Sequence, residues 1–318
     1  MLTRRPETED RDVPIPDSLR GRLRLPAVAA PMFLVSGPDL VVECCRAGVL
    51  GTFPALNQRT TEGFAGWMEQ VAARLAAVPD AAPWGVNLIV HGSNPRLAAD
   101  LAAVVAHRVP LVITSLGAAR EVVAAVHGYG GLVFHDVISR RHAEKAAEAG
   151  VDGIIAVCAG AGGHAGTLSP FALVPEIRTV FDGTILLAGG LSTGAQVLAA
   201  RALGADLAYL GTRFIATREA LAPEAHKRMI LASRAADIVH TPAVSGVPAS
   251  FLRASLAAAG LDPDSPPPHR LDVGGEIKAW KTVWSAGQGV GSIEDLPAAR
   301  ELCARLAAEY DAAFAALR

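Results

Sequence analysis

Short, wholly apolar runs alternate along this chain with longer alanine-rich stretches whose apolar positions recur at helical spacing. The runs that predict strands are 27–31, 49–53, 84–90, 110–115, 131–137, 153–158, 184–190 and 207–212. Between them, helical periodicity predicts segments near 38–47, 61–77, 95–107, 118–127, 140–149, 170–180 and 193–203. The strand runs are continuous in hydrophobicity, which is how strands buried on both faces of a parallel sheet read. Eight of them, each followed by a helix, predict an α/β fold of the (β/α)8 TIM barrel type. The competing doubly wound open sheet usually carries a G-x-G-x-x-G turn after its first strand, and "APMFLVSG" is not one.

The alternation stops at Ile215. Residues 216–290 hold two helical pieces, "EAHKRMILASR" and "PASFLRASLAAAG", and the proline-rich stretch Pro263–Pro268. A long helical pattern over 293–317 then suits the last barrel helix. The expected organisation is an N-terminal arm (1–24), a barrel built from 25–215 and 291–318, and an insertion (216–290) between strand 8 and the last helix. Long loops in compact domains are usually functional or disordered, so the insertion is expected to be a lid or a partner-binding segment.

Composition adds boundaries to this picture. A chain of 318 residues, 51% of them hydrophobic, can bury a large core. Its formal charge of -2, with both signs interspersed, argues against nucleic acid and membrane partners. The charged, proline-punctuated N-terminal stretch lacks the apolar centre of a signal peptide, and no apolar run is long enough to cross a bilayer; a cytoplasmic protein is expected. Cys44, Cys45, Cys158 and Cys303 have no metal-ligand spacing and make a poor disulfide framework, so a reducing compartment and no metal are expected.

Candidate chemistry concentrates after strands six, seven and eight, at the end of a barrel where active sites sit. In "AGAGGHAGTLSPF", His164 stands among Gly160, Gly162, Gly163 and Gly166. Glycine at this density marks unusual backbone or close approach, and an imidazole there can act as general base or hydrogen-bond donor. Gly189–Gly190 and Gly211–Thr212 lie in the loops that often hold phosphate in barrels, with Ser192 or Thr193 able to cap a helix whose positive end favours an anion. Among the other histidines, His91 and His135 could line the pocket, and His135–Asp136 could form a hydrogen-bonded pair. His107, His127 and His142 read as solvated helix residues.

"AAPM", "GVNL", "GAGGHAG", "LAGGLSTG" and "ALGADLAYLGTRFIAT", with a weaker likeness at "SAGQGVGSI", resemble the nitronate monooxygenase (2-nitropropane dioxygenase) family; FMN-dependent enoyl-acyl carrier protein reductases share much of this pattern. The resemblance implies FMN in the barrel mouth. Its phosphate would lie on Gly189, Gly190, Gly211 and Thr212, its ring over Ala30, Pro31 and Met32, with Asn87, Asp136 and Gly163 nearby and His164 as the catalytic residue facing substrate. It implies a small-molecule substrate, a nitronate or other small anion, oxidised with O2; a homodimer is a candidate assembly. An NAD(P)H-dependent enoyl-thioester reductase is the alternative, and a flavin-free phosphate-binding isomerase or lyase a more distant one. Two positions depart from the family pattern: Asp136 stands where relatives often carry a lysine near the flavin pyrimidine, and Gly160 where they often carry glutamate. In place of that lysine, His135 or a helix end would have to balance the charge of reduced flavin.

Overall fold

The computed structural model of the chain describes residues 14–117, 120–244, 246–262, 265 and 281–317. The eight expected strands are present as β1 (Ala27–Ala29), β2 (Leu50–Pro54), β3 (Trp84–Ile89), β4 (Leu111–Ser115), β5 (Leu132–Val137), β6 (Gly153–Val157), β7 (Thr184–Ala188) and β8 (Leu207–Leu210). Each pairs in parallel with the next, and β8 returns to β1 with Tyr209 beside Val28, so the sheet closes into a barrel. Helices α1 (Pro38–Arg46), α2 (Thr61–Ala76), α3 (Leu97–Ala106), α4 (Arg120–His127), α5 (Arg140–Glu148), α6 (Pro170–Arg178) and α7 (Gly194–Ala202) alternate with the strands. Several start on side-chain caps, as where Thr60 and Ser139 accept from the amides of Gly63 and His142.

Because side chains alternate along a strand, closure divides them into two cores. Val28, Leu50, Ile113, Phe134, Ile155, Leu186 and Leu207 point inward and pack on one another. Their neighbours, including Val86, Val112, Val133, Ile154 and Ile185, point outward under the helices. Leu19, 1% exposed, joins the inner cluster from a turn in the N-terminal arm. The Thr184 hydroxyl at the start of β7 donates to the carbonyl of Pro14, so this part of the arm plugs the bottom of the barrel. Residues 1–13 of the expected arm lie outside the described residues.

The eighth outer helix is α11 (Ala299–Ala316), packed between α7 and α1. It begins later than the hydrophobic pattern suggests. Pro297 disfavours helical backbone before it, and the Glu301 carboxylate then caps the new start by accepting from the Ala298 amide at 3.1 Å. Between β8 and α11 run a one-turn helix α8 (Thr212–Ile215), helix α9 (Glu224–Ala232), an antiparallel hairpin β9 (Ile238–Thr241)–β10 (Ala249–Leu252) and α10 (Arg253–Ala258). "PASFLRASLAAAG" is therefore only half helical. Its first residues pair on both edges: with β9, and through Ser250 N–H to Gly163 O (2.9 Å) and Leu252 N–H to Trp284 O (3.0 Å). Apart from Ser265, the proline-rich stretch Pro263–Pro268 lies outside the described residues, as does His269.

All four cysteines are buried free thiols, and burial raises that of Cys45 to about 12. Among the described residues no helix is long and apolar enough to cross a membrane.

The joint between α7 and α11 is very tight. A Cβ at Gly194 would lie 2.1 Å from the Leu306 carbonyl oxygen and 2.4 Å from the Tyr310 nitrogen. Both atoms are backbone, so neither can swing aside. Gly194→Ala should therefore lower Tm by several degrees, the overpacking costing about 1–3 kcal/mol. An unchanged thermal melt would mean that the two helices part freely.

Candidate active site

Inward positions at or just past the C-terminal ends of the strands border a cavity of about 1110 Å³ at that end of the barrel. Four of these positions are polar: Asn87 on β3, Ser115 on β4, Asp136 on β5 and Tyr209 on β8. The first three form a directed chain. The Asn87 amide donates from Nδ2 to Ile113 O (3.3 Å) and to Ser115 Oγ (2.8 Å). Ser115 Oγ then donates to Asp136 Oδ2 at 2.6 Å. Asp136 Oδ1 is buried and has no hydrogen-bond partner. Burial raises the Asp136 carboxyl to about 6, against smaller lowering effects from the Ser115 bond and from His164. Burial, and then the charge of Asp136, likewise push the Tyr209 hydroxyl well up.

His135 does not pair with Asp136. Consecutive strand residues face opposite sides, so His135 points away from the barrel axis, its Nδ1 2.7 Å from Thr114 Oγ1. Burial, and then the charge of His142, lower its imidazole to about 4, which leaves it neutral at physiological pH. His135 borders an outer arm of the cavity but cannot supply positive charge beside Asp136.

The His164 loop follows β6 and is held by backbone bonds to distant segments. Gly160 and Gly163 have φ of +87° and +68°, which glycine adopts without the penalty other residues incur. The Gly163 amide donates to Ser285 Oγ (2.6 Å), Ser285 Oγ donates to Ser250 O (2.8 Å), and the Gly160 carbonyl accepts from the Gln288 amide (2.8 Å). A Cβ on Gly162 would lie 2.9 Å from Ala286 C. These glycines thus let a second chain segment seal against the loop, which presents the partly buried His164 to the cavity. Gly163, expected beside the cofactor, has its amide bound to Ser285 Oγ and its carbonyl accepting from the Ser250 amide.

The loops after β7 and β8 lie side by side and line the same cavity. Gly190 has φ +69°, and a Cβ there would meet nothing within 4 Å, so open cavity reaches its Cα. A Cβ on Gly211 would approach Met32 Sδ at 3.6 Å and Ala30 Cβ at 3.8 Å. The α7 N-terminus, by contrast, is already satisfied. Gln196 Oε1 accepts from the Ser192 and Thr193 amides, and Glu309 Oε2 accepts from the Gly194 amide at 2.7 Å. An anion there would meet the Glu309 carboxylate, so the expectation that this helix end helps to hold phosphate is corrected. The open cradle at Gly190, with Gly189, Gly211 and Thr212 beside it, fits a phosphate-bearing cofactor, and the orphaned Asp136 Oδ1 leaves one polar atom for such a ligand to satisfy.

Of the remaining histidines, His91 bonds Ser93 in a turn, with its Nδ1 2.8 Å from the hydroxyl, and does not line the cavity. His107 and His127 are paired on the outside with Glu69 and Asp152. His142 borders the outer arm. The hydrophobic pattern gave no sign of the far wall. There His226 of α9 stacks on Trp284 (5.2 Å, 11°), and its Nε2 lies 3.2 Å from Ser285 O. Burial lowers His226 to about 4. Ser115, Tyr209 and Ser285 were also missed; only the likeness at "SAGQGVGSI" pointed near the last.

The buried carboxyl has a direct consequence for stability. A folded-state value near 6, against 3.8 for an ordinary Asp, means that the folded protein holds this proton more tightly than the unfolded chain. Its stabilising effect is full below about pH 4 and is lost as pH rises through about 6. Asp136→Asn should therefore stabilise the apoprotein above pH 6 by up to about 3 kcal/mol, and that advantage should fade towards pH 4. Chemical denaturation of both proteins across pH 4–8 measures it; a difference independent of pH would refute the assignment.

A family model described as nitronate monooxygenase matches residues 92–260, more than half of the chain. A (3aS,4S,5R,7aS)-5-hydroxy-7a-methyl-1-oxo-octahydro-1H-indene-4-carboxyl-CoA dehydrogenase of Rhodococcus jostii is 29% identical over 231 residues, 73% of this chain and 63% of that protein. The chain thus spans less than two thirds of that relative's length. A nitronate monooxygenase of Paraburkholderia phytofirmans is 29% identical, with 92% of this chain and 94% of the relative covered. Among solved structures, a nitroalkane oxidase from Streptomyces ansochromogenes superposes with a TM-score of 0.81 at 29% identity, covering 95% of this chain and 100% of its own. Barrel, cavity and sequence match agree: the chain belongs to the nitronate monooxygenase family, whose members are flavoproteins.

Proposed function

We propose that the chain is an FMN-dependent oxidoreductase that oxidises alkyl nitronates with O2 to carbonyl compounds and nitrite. The observation that carries this reading is that His164, Met32 and the glycine turns after β7 and β8 line one cavity at the barrel mouth. Gly189, Gly190, Gly211 and Thr212 would hold a single terminal phosphate, as FMN provides. Ala30, Pro31 and Met32 would lie under the ring, with Asn87 and Asp136 at its edge. Bound FMN would supply the electron transfer between substrate carbon and O2.

The protein's own work is position and charge. His164 stands on a loop fixed at both Gly160 and Gly163, so its imidazole is held in place before substrate arrives. From there it stabilises the negative charge of a nitronate, or takes the α-proton of a neutral nitroalkane onto a ring nitrogen. The apolar walls at Met32, Ile215 and Trp284 keep water from that charge.

One observation favours a second reading, reduction of an enoyl thioester by NAD(P)H. Pockets of about 300–1,000 Å³ enclose a drug-sized ligand, and this one exceeds that range. It has room for a cofactor and a substrate larger than a short nitronate, and the Rhodococcus jostii relative is named for a CoA-bound substrate. Anaerobic mixing with an alkyl nitronate, NADH, NADPH and an enoyl thioester separates the readings. Fast bleaching of the flavin by NAD(P)H would replace the first reading with the second.

The described residues of the segment 216–290 are proposed as a wall over the site, since Pro223, His226, Val247, Pro248 and Trp284 border the cavity. Hydrogen exchange in α9 and β10 should slow when a substrate analogue binds, and indifference to the analogue would count against this role.

Gly190→Leu should abolish flavin retention while circular dichroism still reports a folded barrel; undiminished flavin content would place the phosphate elsewhere. His164→Asn should keep flavin and lower kcat/KM by about 10²–10⁴. The loss should be greater for a neutral nitroalkane, which needs deprotonation, than for its preformed nitronate. Equal, small losses on both would return His164 to a structural role.

A further inference from the structure

Asp136 lies at the cavity floor, and the proposed chemistry gives its carboxyl no part in proton or electron transfer. Its surroundings define which form of the carboxyl suits the site. Ser115 Oγ gives its only proton to Oδ2 at 2.6 Å, because the Asn87 amide already donates to that oxygen. The polarity of the chain therefore runs from β3 to β5 and ends on Oδ2. Oδ1 is left buried and unpartnered, on a residue that lines the cavity. Among the described residues no lysine or arginine forms an ion pair with Asp136. The titratable groups that act on it are His164, from the loop after β6, and Tyr209, from β8 across the barrel. The Tyr209 hydroxyl is itself pushed upward and stays neutral. His135, the neighbour that could have balanced a carboxylate, faces the other way.

A carboxylate so placed has one neutral hydrogen bond and, among the described residues, no lysine or arginine paired with it. Covering it with an organic ring removes its remaining contact with water and raises the cost of its charge further. A neutral acid escapes that cost and also gains a donor, and with Ser115 donating to Oδ2 the proton sits on Oδ1. We propose that Asp136 binds the cofactor as a protonated carboxylic acid, handing a hydrogen bond from Oδ1 to an acceptor on the flavin ring. The inference rests on the flavin reading above. It implies that one proton passes from solvent to Oδ1 when flavin binds near neutral pH, with no electron moved. The acid then does by hydrogen bonding part of what a cation would do by charge: it stabilises electron density on the ring atom it touches.

The test is calorimetric titration of the full-length, flavin-free protein with FMN, at pH 7 in buffers of different ionisation enthalpy and then from pH 5.5 to 8. The wild type should take up close to one proton more than Asp136→Asn, because asparagine is a permanent neutral donor of the same shape. Its Kd should weaken as pH rises, approaching tenfold per pH unit while one proton is linked to binding, whereas Asp136→Asn should keep its low-pH affinity throughout. Asp136→Leu, which has no donor, should bind weakly even at pH 5.5. His164→Asn should still take up this proton, because the carboxyl remains and loses only a neighbour that favours its charged form. The second ionisation of the FMN phosphate is common to all four proteins and cancels in the differences. Equal proton uptake by wild type and Asp136→Asn would overturn the proposal and leave the flavin reading intact, as would wild-type binding that tightens with rising pH, the mark of a carboxylate accepting from the ring. Failure of the wild type to bind FMN at any pH would instead sink the flavin reading.

Discussion

Closure of the parallel sheet into a ring is the constraint on which the rest of this molecule depends. Once β8 pairs with β1, each strand must bury both faces, and only its last inward residue reaches open space. Polar groups at that level must then satisfy one another across neighbouring strands. Asn87, Ser115 and Asp136 do so on β3, β4 and β5: Asn87, in register with Ile113, reaches one inward step up to Ser115, and Ser115 reaches Asp136 on the next strand. Donors run out at Asp136, and the unmet capacity of Oδ1 is a result of that geometry.

Only the floor of the site is set by the barrel. Its rim is assembled from chain that is remote in sequence: Ser285 and Gln288 grip the His164 loop, Thr212 Oγ1 accepts from the Gly287 amide, and Ser192 Oγ donates to the Gly289 carbonyl. These are main-chain and hydroxyl contacts at close range, which explains the run of small residues in "SAGQGVGS". A side chain on Gly287 or Gly289 would strike the Gly160 carbonyl or the Ser192 hydroxyl at 2.5 and 2.4 Å.

The barrel was legible in the sequence because burial on both faces writes itself as an unbroken apolar run, and eight such runs leave few alternatives. That same feature concealed which residues face the axis. Strict alternation would have revealed the parity of β5; without it, His135 and Asp136 could be read as partners when they lie on opposite sides. Gly190 and His164 were legible because glycine and histidine are conspicuous in an apolar context. Ser115, an ordinary serine at a strand end, carried no signal. The β10 strand reads as helix because its run is short and continuous with the helical α10, and the partners on its second edge, Gly163 and Trp284, lie far away in the chain.

The hydrogen bond from Gly163 to Ser285 joins positions 122 residues apart. During synthesis, all eight strands emerge from the ribosome before that serine does, so a nascent barrel can close while the His164 loop still lacks its anchor. The newborn chain therefore passes through an interval in which all eight strands are available while α11 and the latch on the His164 loop are still to come. Competence arrives with the downstream segment that latches the loop.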